Sequence, residues 1–163
     1  MSLRTGRLTP EDLLEAYDLS TAVGWNQTRE DWQRLLNLFP ENCFGGHVGG
    51  ELVATSTLAT YGYRLGWVGM VLVDPDHRRQ GYGSTMFEKA LDMGLAAELD
   101  VIGLDATDAG REVYDAYGFE RVGGIDRLKG RIGLPDADVS AGPVSDVEAV
   151  IEFDVDRSGT NRE

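Results

Sequence analysis

The sequence predicts an α/β domain over residues 1–134, and three features of the chain carry that expectation. Two capped helical stretches come first, a β-hairpin and a long apolar strand follow, and an amphipathic helix comes directly after that strand. With 163 residues, 42% of them apolar and 26% charged, the chain has the length and composition of one globular domain.

Thr9-Pro10-Glu11-Asp12 opens the first helix, with a Thr cap, Pro at the first helical position and acids against the helix dipole. Leu13, Leu14 and Tyr17 then recur at helical spacing to about Ala22, and Gly24 breaks the run. Thr28 starts a second helix whose apolar set is Trp32, Leu35, Leu36 and Phe39, closed by Pro40. The texture then changes. Cys43 to Val48 and Leu52 to Thr60, joined at Gly49-Gly50, read as a β-hairpin. Leu65 to Val73 is nearly all apolar, as expected of a central strand buried on both faces. Met86, Phe87, Ala90, Leu91 and Leu95 mark an amphipathic helix from Gly83 to about Leu99. A short strand from Val101 to Ala106, a short helix from Gly110 to Tyr117 and a β segment from Phe119 onward complete the pattern.

Beyond about Leu134 the chain turns small, acidic and polar, so residues 135–163 read as a linker and tail. Val144 to Phe153 regains a weak helical pattern that is too short to stand alone.

A net charge of −13 argues against nucleic acid as a partner, because that binding depends on cations neutralising phosphates. No apolar run approaches the roughly 20 residues of a membrane helix. The first residues lack the apolar core of a signal peptide, and one cysteine, Cys43, cannot form an internal disulfide. A cytoplasmic location is the default expectation. His47 and His77 are unclustered and give no metal signature; His47 is expected to face solvent on the hairpin, and His77 to lie in a loop. The fifteen cationic residues include only two lysines, Lys89 and Lys129. An acidic, lysine-poor chain suits a salt-rich cytosol, and equally an arginine-favouring genome.

The stretch VLVDPDHRRQGYGSTM, Val71 to Met86, carries the chemistry. A strand ends in a turn, and a glycine-bearing loop feeds a helix whose first N–H groups form an anion site. Arg78 and Arg79 add positive charge there. A dinucleotide fingerprint would need a third glycine where Met86 stands, and a P-loop would need a lysine that the loop lacks. Arg78-Arg79-Gln80-Gly81-Tyr82-Gly83 instead matches R-x-x-G-x-G and resembles the acetyl-CoA motif of the GNAT superfamily of N-acetyltransferases. The order of elements resembles that family too, as does AGREVYDAYGFERVG, a helix bearing Tyr114 ahead of Phe119.

The resemblance implies a mostly antiparallel central sheet flanked by helices. It implies acetyl-CoA bound by Arg78, Arg79, Gln80, Gly81, Tyr82, Gly83 and Ser84, with Val71, Leu72 and Val73 along its pantetheine. It implies backbone N–H groups near Met70 and Val71 that polarise the thioester carbonyl, and Tyr114 as general acid for the departing thiolate. Asp105 is the candidate base, and Asp108 is a candidate cap for the Tyr114 helix. The acceptor, a primary amine of a small molecule or peptide, would lie near Trp25, Asn26 and Gln27, while Trp32 fits the core and Trp67 fits either cleft or core. A homodimer is left open. Asp154, Gly159 and Arg162 resemble the D-x4-G-x2-R opening of a second acetyltransferase-like domain. A CoA-binding sensor without catalysis is the alternative expectation.

Overall fold

Strand β1 (Arg4–Arg7) enters the sheet beside β2 (Cys43–Val48), and the chain between them makes two helices. Pro10–Asp12 forms one 3-10 turn, closed by Asp12 Oδ2, which accepts from the Thr9 N–H at 2.7 Å and the Thr9 hydroxyl at 2.9 Å. Helix α1 (Leu13–Ala22) follows. Helix α2 (Arg29–Leu38) starts on a reciprocal cap: Asp31 N–H donates to Thr28 Oγ1 at 3.2 Å, and Thr28 N–H donates to Asp31 Oδ2 at 2.9 Å. The Thr28 N–H, joined by the Thr28 hydroxyl donating to Asp31 Oδ2 at 3.0 Å, holds the Asp31 carboxyl below the usual carboxylate range. The structure, a computed structural model, describes residues 2–125 and 145–158.

β2, β3 (Glu51–Tyr61) and β4 (Leu65–Val73) form the antiparallel meander, and β5 (Val101–Leu104) adds in parallel to β4. The sheet order is β1-β2-β3-β4-β5, and helix α3 (Tyr82–Ala96) makes the crossover between the parallel strands. Adjacent residues on one strand separate two apolar layers. Cys43 and Leu72 join Ala16, Leu19, Trp32 and Leu36 beneath α1 and α2, whereas their neighbours Phe44 and Val73 join Ala54 and Met86 beneath α3. Trp32 is fully buried there and its Nε1–H donates to Ser20 Oγ at 3.2 Å. Full burial of Leu58 and Phe87 contributes about 1.5–3 kcal/mol each. No helix among the described residues is long and apolar enough to cross a membrane.

The chain divides into two compact units, Met1–Asp105 and Ala106–Glu163. The second contains α4 (Asp108–Ala116) and α5 (Val147–Ser158).

Several expectations need correction. β4 is not buried on both faces: Gly66, Val68 and Leu72 are buried, but Trp67 is 37% exposed. An unbroken apolar run therefore reported strand identity and overstated burial. Residues 119–125 contain no strand, and the remainder of the proposed β segment, 126–144, lies outside the described residues. The tail helix runs further than its pattern, to Ser158. Thr107, rather than Asp108, caps α4, because its hydroxyl accepts the Gly110 N–H at 3.3 Å. His47 is half-buried, at an irregularity in the β2–β3 register.

Candidate functional site

The site is built where β4 parts from β5. Their pairing runs from Leu65↔Val101 to Val68↔Leu104 and ends there, while β4 continues to Val73. Gly69 to Val73 therefore has β3 on one side and, among the described residues, no paired strand on the other. Within this splay β4 is also bulged. Leu72 pairs with Thr55 and Gly69 with Thr57, so Met70 and Val71 together oppose Ser56. Met70 takes φ +48°, a value that side-chain-bearing residues rarely adopt. A hydrogen bond holds this bend: the buried Thr55 hydroxyl donates to the Met70 carbonyl at 2.8 Å.

From the end of β4 a short, tied turn leads into α3. Asp74 N–H donates to Val53 O at 2.8 Å, anchoring the turn to β3. Asp74 Oδ1 accepts the Asp76 N–H at 2.9 Å and lies 3.1 Å from His77 Nδ1, which fixes the 3-10 turn Pro75–His77. Arg78 reaches back, its Nε–H donating to Val73 O at 3.3 Å, so part of this guanidinium braces the loop. Arg79, at φ +61°, and Gly81, at φ +80°, turn the chain into the helix, with Gly81 as its cap.

The first intrahelical bond is Thr85 N–H to Gly81 O at 3.0 Å. The N–H groups of Tyr82, Gly83 and Ser84 precede it and present the positive end of the α3 dipole. A Cβ built on Gly81 meets nothing within 4 Å, and one on Gly83 meets only Val73 Cγ2, at 3.5 Å. Space thus lies open above the turn, where a pyrophosphate can approach the backbone closely. The donor set fits acetyl-CoA: anion-binding N–H groups at the helix, then Val71 to Val73 leading to the bulge. No cluster of His, Cys, Asp or Glu among the described residues could hold a metal ion.

Of the other predicted residues, Asp105 is exposed and stands one residue past Leu104, where the β4–β5 pairing ends. Trp25 is half-buried against the α1–α2 core, Asn26 is exposed and Gln27 is half-buried. The Gln27 Oε1 is buried with no hydrogen-bond partner among the described residues. Trp67 lies flat over its cross-strand partner Gly103, where a Cβ would come within 2.5 Å of the ring. Tyr114 belongs to the second unit, on α4, with its ring against Gly110 of the same helix. Burial pushes its phenol above the ordinary tyrosine range. Thr55 was missed by sequence reading. Threonine in an apolar strand carries no signal, and only the register shows that it faces a bulge.

A surface cavity of about 570 Å³ lies elsewhere, between α1 and α2 beside Leu13, Arg29, Gln33 and Asn37.

The family model described as "Acetyltransferase (GNAT) family" matches residues 11–119. The N-alpha-acetyltransferase 30 of Dictyostelium discoideum is 26% identical over 121 residues, covering 71% of this chain and 60% of that protein. This chain spans 36–60% of the length of the N-alpha-acetyltransferases 30 that it matches. Among solved structures, a suggested acetyltransferase from Pyrococcus horikoshii superposes with a TM-score of 0.76 at 22% identity, covering 98% of this chain and 58% of that one. Rv2747 from Mycobacterium tuberculosis, solved in complex with CoA and NLQ, gives a TM-score of 0.64 at 17% identity, over 77% of this chain and 76% of that one. With the family match covering most of its length and its sheet, splay and helix-capping loop in place, this chain belongs to the GNAT family of acetyltransferases.

Proposed function

We propose that this protein is an acetyl-CoA-dependent N-acetyltransferase that acts on a primary amine of a peptide or small molecule. The observation that carries the reading is the direct succession of a bulged, splayed strand and an anion-binding helix start, Met70 to Ser84. Relatives named N-alpha-acetyltransferase 30 support an amine as the acceptor.

Acetyl-CoA, when bound, supplies the acetyl group as an activated thioester. The chain's own residues do the rest. The N–H groups of Tyr82, Gly83 and Ser84, with the charge of Arg79, hold the pyrophosphate. Val71 to Val73 align the pantetheine arm along the open side of β4. A backbone N–H at the bulge stabilises charge developing on the carbonyl oxygen, which costs no reorganisation because the strand is already bent. The acceptor amine must be neutral to attack, whereas a lysine-like amine titrates at about 10.4. Asp105, directly or through water, takes the amine's proton, and Tyr114 gives one to the departing thiolate. The Tyr114 phenol, which burial pushes above the ordinary tyrosine range, carries the proton that this role needs at neutral pH. Trp25, Asn26 and Gln27, in the connection between α1 and α2, contact the acceptor.

A titration of acetyl-CoA into the wild type and Gly83→Val tests the donor half. A Cβ at position 83 meets Val73 Cγ2 at an ordinary contact distance of 3.5 Å, and the branched side chain should obstruct the phosphate approach and abolish binding. Unchanged affinity in a folded variant would contradict the reading.

A further inference from the structure

We propose that Thr55 is a positioning residue for acyl transfer. Its buried hydroxyl holds the Met70–Val71 peptide turned so that the Val71 N–H faces the splay and receives the thioester carbonyl. The inference rests on the acetyltransferase reading above and adds to it the group that fixes the donor's direction.

Thr55 is fully buried on β3, and its hydroxyl donates to Met70 O at 2.8 Å. The carbonyl of the Met70–Val71 peptide is therefore turned toward β3. No cis peptide occurs among the described residues, and a trans peptide holds C=O and N–H in opposite directions. The Val71 N–H is consequently turned away from the Thr55 hydroxyl, in a stretch of β4 with no paired strand among the described residues on the side that β5 left at Val68↔Leu104. An N–H in a regular ladder would be consumed by a neighbouring strand. Here β5 has left β4, and the proposed orientation turns this N–H into the space that Val71 to Val73 border.

The strain at Met70, φ +48°, gives the hydroxyl something to hold. β3 has to match two residues of β4 with Ser56 alone, and the Met70 carbonyl takes its bond from a side chain. The neighbouring hydroxyl is otherwise engaged: Ser56 Oγ–H donates to Met86 O at 2.6 Å, on α3. Thr55 is thus the side chain that determines which way the peptide faces. Valine at 55 keeps the shape and removes the donor; serine keeps the donor.

The test pairs an amide-resolved spectrum with kinetics on the full chain. In the wild type, acetyl-CoA should shift the Val71 amide proton downfield relative to CoA, since only acetyl-CoA carries the carbonyl. Thr55→Val should lose most of that acetyl-specific shift and lower kcat by about 10-fold to 10²-fold, with KM for acetyl-CoA little changed. Thr55→Ser should restore both. A folded Thr55→Val with the wild-type shift and wild-type kcat would overturn the proposal. So would a wild-type Val71 amide that responds alike to CoA and acetyl-CoA, a comparison that requires no variant to fold. An acetyl-specific shift at Val71, lost in Thr55→Val, in a protein that transfers acetyl to no amine would leave the positioning role standing and refute the enzymatic reading.

Discussion

Tyr114 sits in a motif that sequence alone could find, and its chemistry turns on one proton. Its phenol is pushed above the ordinary range by burial, because desolvation disfavours the phenolate. A group with a raised pKa contributes stability that is complete below the unfolded-state value, about 10, and lost as pH rises through the folded-state value. The phenol therefore stays protonated across the working range and can donate. Tyr114→Phe keeps the ring and deletes that proton. Single-turnover transfer should slow by roughly 10²-fold, while acetyl-CoA affinity stays near wild type. Wild-type single-turnover rates in the variant would assign Tyr114 to packing alone. Cys43 illustrates the opposite case. Burial pushes its thiol to about 12, its Sγ–H points to Leu35 O at 3.6 Å, and it behaves as a small core side chain.

Secondary-structure elements were legible wherever local chemistry decides them. Thr28 with Asp31, Pro10 after Thr9, and the Gly49-Gly50 turn each act over a few residues, so α2, the first turn and the hairpin stand where sequence placed them. The glycine loop and α3 were legible for the same reason, although the helix begins one residue earlier, at Tyr82. Tertiary geometry was not legible. Apolarity of Leu65 to Val73 cannot say that β5 leaves after Val68 or that Trp67 lies over Gly103. Nor can it reveal the bulge, since bulge position depends on the register of β3 against β4, a pairing between segments far apart in sequence. The candidate site divides along the same line. Its glycine loop is a contiguous motif, whereas the bend in β4 depends on a splay, a bulge and one threonine hydroxyl.

Across the whole molecule the governing quantity is charge. A net −13 on 163 residues concentrates like charges on a small surface, and the compact state bears more of that repulsion than the extended chain does. Screening shortens its reach from about 30 Å at 0.01 M salt to about 3 Å at 1 M. The melting temperature should therefore rise between low and molar KCl, and a flat profile would show that the acidity carries no salt dependence. The acidic composition also gives the loop its contrast, since Arg78 and Arg79 stand together just ahead of α3 in a chain with 28 acidic residues against 15 cationic ones. The whole account converges on transfer. Its most direct test is release of free CoA and formation of acetylated product when the protein meets acetyl-CoA with a panel of peptide and small-molecule primary amines. The account predicts amine-dependent CoA release that saturates with the preferred amine, with one acetylated product per CoA freed. Tight acetyl-CoA binding with no amine-dependent release from any member of the panel would contradict it and make the chain a CoA-binding sensor.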